Sequence, residues 1–466
     1  MKWKHRRDGE EAPYIPAGPF KIRIPFVHYR FEWPDYVQGL LMCAVDLGGI
    51  TLLADYLGMP FEVALAIMIL NGFMYLLHHL LGDPVIPGWI TPAIPLIILF
   101  VKQFPEGPER VYALIAFQLT LGLLSIFLGM TGLASKVVRL VPNAIKSGII
   151  LGAGIGAIIS IFEKGGKFDL FPVTITICIG LAFYLIFSKH FEGLKQRNKA
   201  WVFFGNLGIL PAILLAVLVA PLAGEAKWPD IQWGFSQPDF ATLWSDYTVF
   251  GLGIPPVAFF VTALPAVLAT YLVVFGDVLK TKALLSESDD VRTDEKVDYN
   301  PNRAHLIFGG RNVIMSIIGP DITMCGPLWA AMQVVVIERF KGGKKAMNSF
   351  FGGIGSFRWG TNTGLLLLPI VSLVQPILDV ALALTLLVQG YVSVRIGVMQ
   401  SRSQRDLGIA GIVAAVLVIK GAGMAFAVGV LLCFLLYGKD FLSGEDDQLF
   451  TNSSNEEKEP DKKEFG

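Results

Sequence analysis

Ten ionisable side chains sit within or beside apolar runs of this chain: Asp46, His78, His79, Asp83, Lys146, Asp277, Arg311, Asp321, Arg358 and Asp379. A charge is costly in hydrocarbon, so each of them either carries function or has a bland partner. Asp277 closes the apolar run Val273-Val274-Phe275-Gly276-Asp277-Val278-Leu279-Lys280. It reads either as a group that handles substrate or a proton, or as a helix-end carboxylate paired with Lys280. Asp46 lies mid-run with no charge near it in sequence, so it needs a proton or a partner from another segment, and proton coupling is the chemistry it suggests. Arg358 either neutralises an anionic substrate or Asp379, or snorkels at a helix end; Lys146 has the same two readings.

Other constellations point to less. Asp83 and Asp321 flank turns, where an aspartate side chain caps the backbone more often than it meets a ligand. Adjacent His78 and His79 point about 100° apart on a helix and no further histidines complete a shell, so no metal site and no cofactor is predicted. No nucleophile with a spaced base can be read, so an enzyme is not expected. Cys43, Cys178, Cys325 and Cys433 lie in apolar runs without disulfide or zinc spacing. Gly152-Ala153-Gly154-Ile155-Gly156 sits in an apolar helix, where small residues serve close packing rather than phosphate binding.

Two interrupted segments position this chemistry. Gly82-Asp83-Pro84-Val85-Ile86-Pro87-Gly88-Trp89-Ile90-Thr91-Pro92 and Gly319-Pro320-Asp321-Ile322-Thr323-Met324-Cys325-Gly326-Pro327-Leu328-Trp329 occupy corresponding places in the two halves. Proline lacks a donor and glycine a side chain, so neither is an ordinary spanning helix. A matched pair of broken spans points to a substrate site between inverted repeats. Helices are expected to begin after Pro92 and Pro327, offering free amides and positive dipole ends to an anion or a carbonyl oxygen without any cationic side chain. Thr91, Pro92, Ala93, Asp277, Thr323, Gly326 and Pro327 are the expected substrate-binding residues; Asp46 and Asp277 are the expected ion-coupling residues.

The 466 residues are 53% hydrophobic and 16% charged. A soluble domain is about a quarter charged, so lipid must be the solvent for much of this surface. Zero net charge argues against a nucleic-acid partner. About 14 apolar runs are long enough to span: 36–57, 61–81, 84–101, 111–133, 140–162, 170–188 and 206–223, then 250–275, 305–319, 322–338, 349–373, 376–397, 405–420 and 421–437. Alternating along these, the loops carrying Lys136/Arg139, Lys189 to Lys199, Lys280/Lys282, Arg339 to Lys345 and Arg395 to Arg405 fall on the side of the basic N-terminus. The positive-inside rule then puts both termini in the cytoplasm, in the cell (inner) membrane if the source is bacterial. The reading is an all-α polytopic membrane protein of two inverted seven-span repeats. Residues 1–35 form a cytoplasmic arm with an interfacial stretch at Phe26–Trp33, 36–223 the first repeat, 224–249 an outside linker, 250–437 the second repeat and 438–466 a disordered tail. Ser286–Arg303 reads as a flexible polar loop.

The chain resembles the uracil/xanthine permease (nucleobase–ascorbate transporter) family over roughly 36–437, with sulfate-permease-type transporters as more distant relatives. The resemblance rests on Leu70-Asn71-Gly72 with Ile86-Pro87-Gly88-Trp89, and on Leu140-Val141-Pro142 with Gly152-Ala153-Gly154-Ile155-Gly156. Phe275-Gly276-Asp277 and Ile318-Gly319-Pro320-Asp321-Ile322-Thr323 carry it in the second half. It implies a core domain moving against a gate domain, binding between two half-helices, proton or sodium coupling, and a homodimer. Val273 and Pro327 stand where nucleobase binders of the family carry acidic or amide side chains. The expectation is therefore a secondary active, alternating-access transporter of a small polar or anionic solute, nucleobase-like substrates included. The alternative is a facilitative anion transporter or channel of sulfate-permease type.

Overall fold

A computed structural model describes residues 7–134, 136, 140–198, 201, 204–205 and 207–438. Arg139, Lys199 and the tail beyond Gly438 lie outside them. Each of the fourteen apolar segments carries a helix or half-helix. In the first half these are α1 (Trp33–Leu47), α2 (Gly49–Leu57), α3 (Phe61–Leu80), α4 (Ile94–Val101), α5 (Pro108–Thr131), α6 (Asn143–Phe162), α7 (Pro172–Phe187), α8 (Lys189–Arg197) and α9 (Leu210–Leu222). In the second they are α10 (Val257–Ser286), α11 (Pro301–Ile318), α12 (Ala330–Lys341), α13 (Phe350–Leu366), α14 (Leu368–Val374), α15 (Leu378–Gln400) and α16 (Gln404–Tyr437). Proline stands in the first turn of α1, α5, α7 and α11, where its missing donor costs nothing. Gly58 and Gly132 end α2 and α5 at φ 67, the left-handed cap that glycine adopts without strain.

Among the described residues, seven helices are long and apolar enough to cross a membrane, and an eighth arises if α7 and α8, bent by 58°, count as one. Much of the shortfall from fourteen lies in length, since α4, α9 and α12 are short and the two arms of α16 run on as one helix; two further segments fall short in composition. α11 carries Arg303, His305, Arg311 and Asn312, and α13 carries Ser356, Arg358, Thr361 and Asn362; all eight are buried inside the bundle. Helices that supply the polar interior are not uniformly apolar. The chain is an all-α polytopic membrane protein, apart from a two-stranded hairpin pairing Ile15–Ala17 with Phe20–Ile22.

α16 is two arms, as the expected division at Gly421 requires. Gly421 has φ 80 and ψ 177, and Tyr437 Oη returns to donate to Asp406 Oδ1 at 2.7 Å. The first arm packs on α6 beside α15, and the glycines of α6 admit both: a Cβ on Gly152 would lie 2.9 Å from Ala414 Cα, and one on Gly154 2.8 Å from Gly390 O of α15.

The N-terminal arm and the 286–303 loop form one folded cap. Lys21 N and Arg23 N donate to Leu81 O and Leu80 O, closing carbonyls left open at the end of α3. Lys21 Nζ bridges Glu11 and Asp298, each at 2.7 Å. Burial opposes the charge on Asp298, but Lys21 and Arg303 overcome it and hold the carboxyl below the usual range. The 286–303 loop, expected to be flexible, is tied down: Arg292 is buried and donates to Phe340 O at 2.6 Å and Met347 O at 3.1 Å. Its positive charge meets the open carbonyls that follow α12, a long-range partner that local composition does not show.

Candidate functional site

The two interrupted segments cross at the centre of the bundle as a short antiparallel pair. Gly88 faces Gly326, with Gly326 N donating to Gly88 O at 2.8 Å, Ile90 N to Thr323 O at 3.0 Å and Trp329 N to Ile86 O at 2.6 Å. Half-helices leave the crossing toward opposite ends. α4 finishes by Tyr56 at the end of α2, with Lys102 over its ring, whereas α12 finishes with Arg339 against Glu32 at the start of α1. Their starts differ from expectation. A 3-10 turn, Thr91–Ala93, precedes α4, and α12 begins at Ala330 rather than after Pro327, because Trp329 N is still committed to the crossing.

Extended backbone in an apolar interior needs side-chain partners, and polar side chains supply them. Gln333 accepts from Ile86 N at 2.7 Å and donates to Pro84 O at 3.0 Å. Asn312 both accepts from Cys325 N (3.0 Å) and donates to Cys325 O (2.9 Å). Asp321 accepts from Asn71, from Thr323 N and from Thr323 Oγ1, while Gln118 accepts from Asp321 N. The two arginines serve one segment each: Arg358 Nη2 donates to Pro87 O, and Arg311 Nη1 to Gly326 O at 3.1 Å. Tyr75 lies between them, its ring centroid 4.0 Å from one guanidinium and 4.6 Å from the other. Arg311 also faces His78 Nε2 at 2.9 Å. A guanidinium only donates, so the His78 proton is on Nδ1 and is given to Asp83 Oδ2 at 2.7 Å.

Several readings change. Arg358 is fully buried and its carboxylate is Asp46, at 3.5 Å, not Asp379. Asp379 instead shares Lys167 with Asp55, at 2.7 and 2.6 Å. The crossing therefore has a cation directly behind it, contrary to the expectation of amides alone. Asn71, Tyr75, Gln118, Asn312 and Gln333 were missed; the available signal was an isolated polar group in the middle of an apolar helix.

A cavity of about 320 Å³ lies against the crossing. Asp46, Trp89, Thr91 and Pro92 form one wall, Thr385 and Gln389 of α15 face them, and Asp277, Lys280 and Lys195 mark the end nearer the cap. Of the expected residues, Asp46, Thr91, Pro92 and Asp277 line it. Ala93, Thr323, Gly326 and Pro327 do not: Ala93 is buried in the core, Thr323 is turned to Asp321, and Gly326 is spent on Gly88. Asp277 accepts from Lys280 Nζ at 3.0 Å, the pairing foreseen as its bland role. Ala330, Ala331 and Met332, the first turn of α12, also line the cavity, and their amides have no acceptor among the described residues. Trp89 Nε1, buried in the wall, has none either. At the other half-helix, Pro92 in the preceding 3-10 turn and Pro95 in α4 remove two such donors.

No family model matches the sequence, and no curated protein matches it. The fold does have relatives among solved structures. It is similar to the transmembrane domain of BicA, a bicarbonate transporter of a cyanobacterium, with TM-score 0.52 and 16% identity, over 85% of this chain and 97% of that one. It is also similar to SLC26A9, at TM-score 0.51 and 14% identity over 87% of this chain and 65% of that one. A structure of murine Slc26a9, an anion transporter in the inward-facing state, gives 0.50 and 12% over 88% and 68%. These likenesses show the fold. They place it beside anion transporters and do not carry the resemblance to nucleobase permeases.

Proposed function

We propose that the chain is a secondary membrane transporter of a small anion, bound in the cavity between Trp89, Thr91 and the first turn of α12. The observation that carries this reading is the set of three amides without an acceptor among the described residues, at Ala330, Ala331 and Met332, which line the cavity at the positive end of a helix. The Trp89 indole adds a fourth donor and Arg358 a buried charge behind it. The fold shared with a bicarbonate transporter and with an anion transporter supports an anion; a homodimer is the assembly that the family resemblance implies. Asp46, in the cavity wall and tied to Arg358, and Asp277, which lines the same cavity, are the coupling carboxylates: protonating Asp46 would release the guanidinium toward the anion. The test is thermal stability of the purified protein against bicarbonate, sulfate, chloride, small carboxylates and nucleobases, followed by uptake into proteoliposomes with and without a proton gradient. Stabilisation by nucleobases alone would overturn the anion assignment, and uptake indifferent to the gradient would favour the facilitative alternative. Asp277→Asn is expected to abolish accumulation while leaving the melting temperature unchanged; wild-type accumulation would remove Asp277 from the mechanism.

The cavity reaches toward the capped end, where Lys195 and Lys280 lie, and we place that end, with both termini, in the cytoplasm. The opposite end is closed by Lys167, which ties Asp55 of α2 to Asp379 of α15. Lys102 and Glu163 add a longer pair there at 3.7 Å. Partly exposed pairs contribute up to about 1 kcal/mol each. Lys167→Gln is therefore expected to shift the population toward the outward-open state by about fivefold. A thiol introduced by Thr91→Cys would then react faster with an impermeant reagent added outside; an unchanged rate would rule out this latch.

A further inference from the structure

A second groove, of about 640 Å³, lies where α1 begins, between Phe26–Pro34 and the turn that follows α12. We propose that it binds the headgroup of an anionic phospholipid, whose acyl chains run along α1. Three aromatic rings, Phe26, Phe31 and Trp33, line it, and Tyr36 packs against them. Phe26 stacks on Phe31 with centroids 5.4 Å apart, and Phe31 meets Trp33 at 5.1 Å and Tyr36 at 5.2 Å. Phe26 and Trp33 are 54% and 67% exposed, the arrangement by which aromatic rings settle at a membrane–water boundary. Phe26 is held outward at φ 63, a conformation unfavourable for its side chain, by a bond from its own N to Tyr29 O. From Trp33 an exposed apolar stripe continues through Val37 and Leu41, four residues apart on one helix face.

The charges of the groove complete a lipid site. Arg30, Arg339 and Lys345 line it. Glu32 and Asp35 are buried beneath, where Arg339 contacts both. Arg30 is half exposed and, among the described residues, its side chain gives one bond, to Glu32 at 3.3 Å. Lys345 is exposed with no ion-pair partner among the described residues, whereas its neighbour Lys344 is engaged by Asp8. Three cations over two buried carboxylates leave the groove positive toward an anionic headgroup. The exposed stripe favours a lipid over free phosphate, because only a lipid can use the headgroup site and the apolar track together.

The experiment reconstitutes the full chain in nanodiscs of phosphatidylcholine, with and without phosphatidylglycerol, and follows thermal unfolding and retained lipid by native mass spectrometry. Phosphatidylglycerol is expected to raise the melting temperature above the phosphatidylcholine value and to be retained. Arg30→Gln/Lys345→Gln should weaken its retention by about tenfold or more, on the order of fivefold per cation, with an unchanged melting temperature in phosphatidylcholine. Lys345→Gln alone, at a side chain with no ion-pair partner among the described residues, should give an intermediate loss and guards against a folding defect in the double variant. Equal stability in both lipids, full retention by the variants, or the same stabilisation from soluble glycerol phosphate would each overturn the proposal.

Discussion

Arg358→Gln is expected to destabilise this protein severely, and Asp46→Asn in the same chain to restore much of the loss. Arg358 is buried in the middle of the bundle, donating to Pro87 O and facing Asp46 at 3.5 Å. Removing the guanidinium strands the buried Pro87 carbonyl and leaves the Asp46 carboxylate, only 4% exposed in the cavity wall, without its cation. Breaking a buried pair from one side costs roughly 3–5 kcal/mol, a large part of a total stability of about 5–15 kcal/mol. Converting Asp46 to asparagine removes the stranded charge, so the double variant should be more stable than Arg358→Gln alone. The measurement is thermal unfolding of wild type, both singles and the double in one detergent. Additive losses across that cycle would mean that the two groups do not interact. The recovered double variant should still fail to accumulate its solute, because both the coupling carboxylate and the cation behind the amides are gone.

The parts legible in the sequence were those written in local chemistry. Proline and glycine in Gly82–Pro92 and Gly319–Trp329 cannot sustain a helix, so the breaks were readable, as was the division at Gly421. What the breaks require was not readable. The partners of Pro84, Ile86 and Pro87 come from Gln333 and Arg358, in helices far along the chain, and those of Cys325 and Gly326 from Asn312 and Arg311, 13 and 15 residues back in α11. The start of α12 was missed for the same reason. Pro327 is a sound local signal for a helix start, but a hydrogen bond from Trp329 to Ile86 keeps the chain extended for two residues more. That shift moves the free amides from the residues just after Pro327 to Ala330, Ala331 and Met332, which line the cavity. Arg358 was readable as a buried cation or a snorkelling one, and only packing against Tyr75 and Pro87 decides between them.

Gly326→Ala is expected to disable the site more completely than any change in charge. A Cβ at Gly326 would fall 2.8 Å from Gly88 O and equally close to the carbonyl carbon and oxygen of Trp89. These are backbone atoms of the facing segment, so no side chain can swing aside. The two segments must separate, and separation breaks the bonds from Gly326 N to Gly88 O and from Trp329 N to Ile86 O. Each backbone group left unpaired in a water-free interior costs several kcal/mol, so the expected outcome is a protein that misfolds or melts far below wild type and loses stabilisation by any solute. Gly411→Ala is the matched control. Gly411 is an exposed helical position in α16 where an added Cβ meets nothing within 4 Å, and alanine in a helix is favoured over glycine by about 0.5–1 kcal/mol. It should melt at or slightly above the wild-type temperature. A Gly326→Ala protein that melted with the control would show that the crossing does not hold the two half-helices together. The anion site built on their starts would then lose its footing.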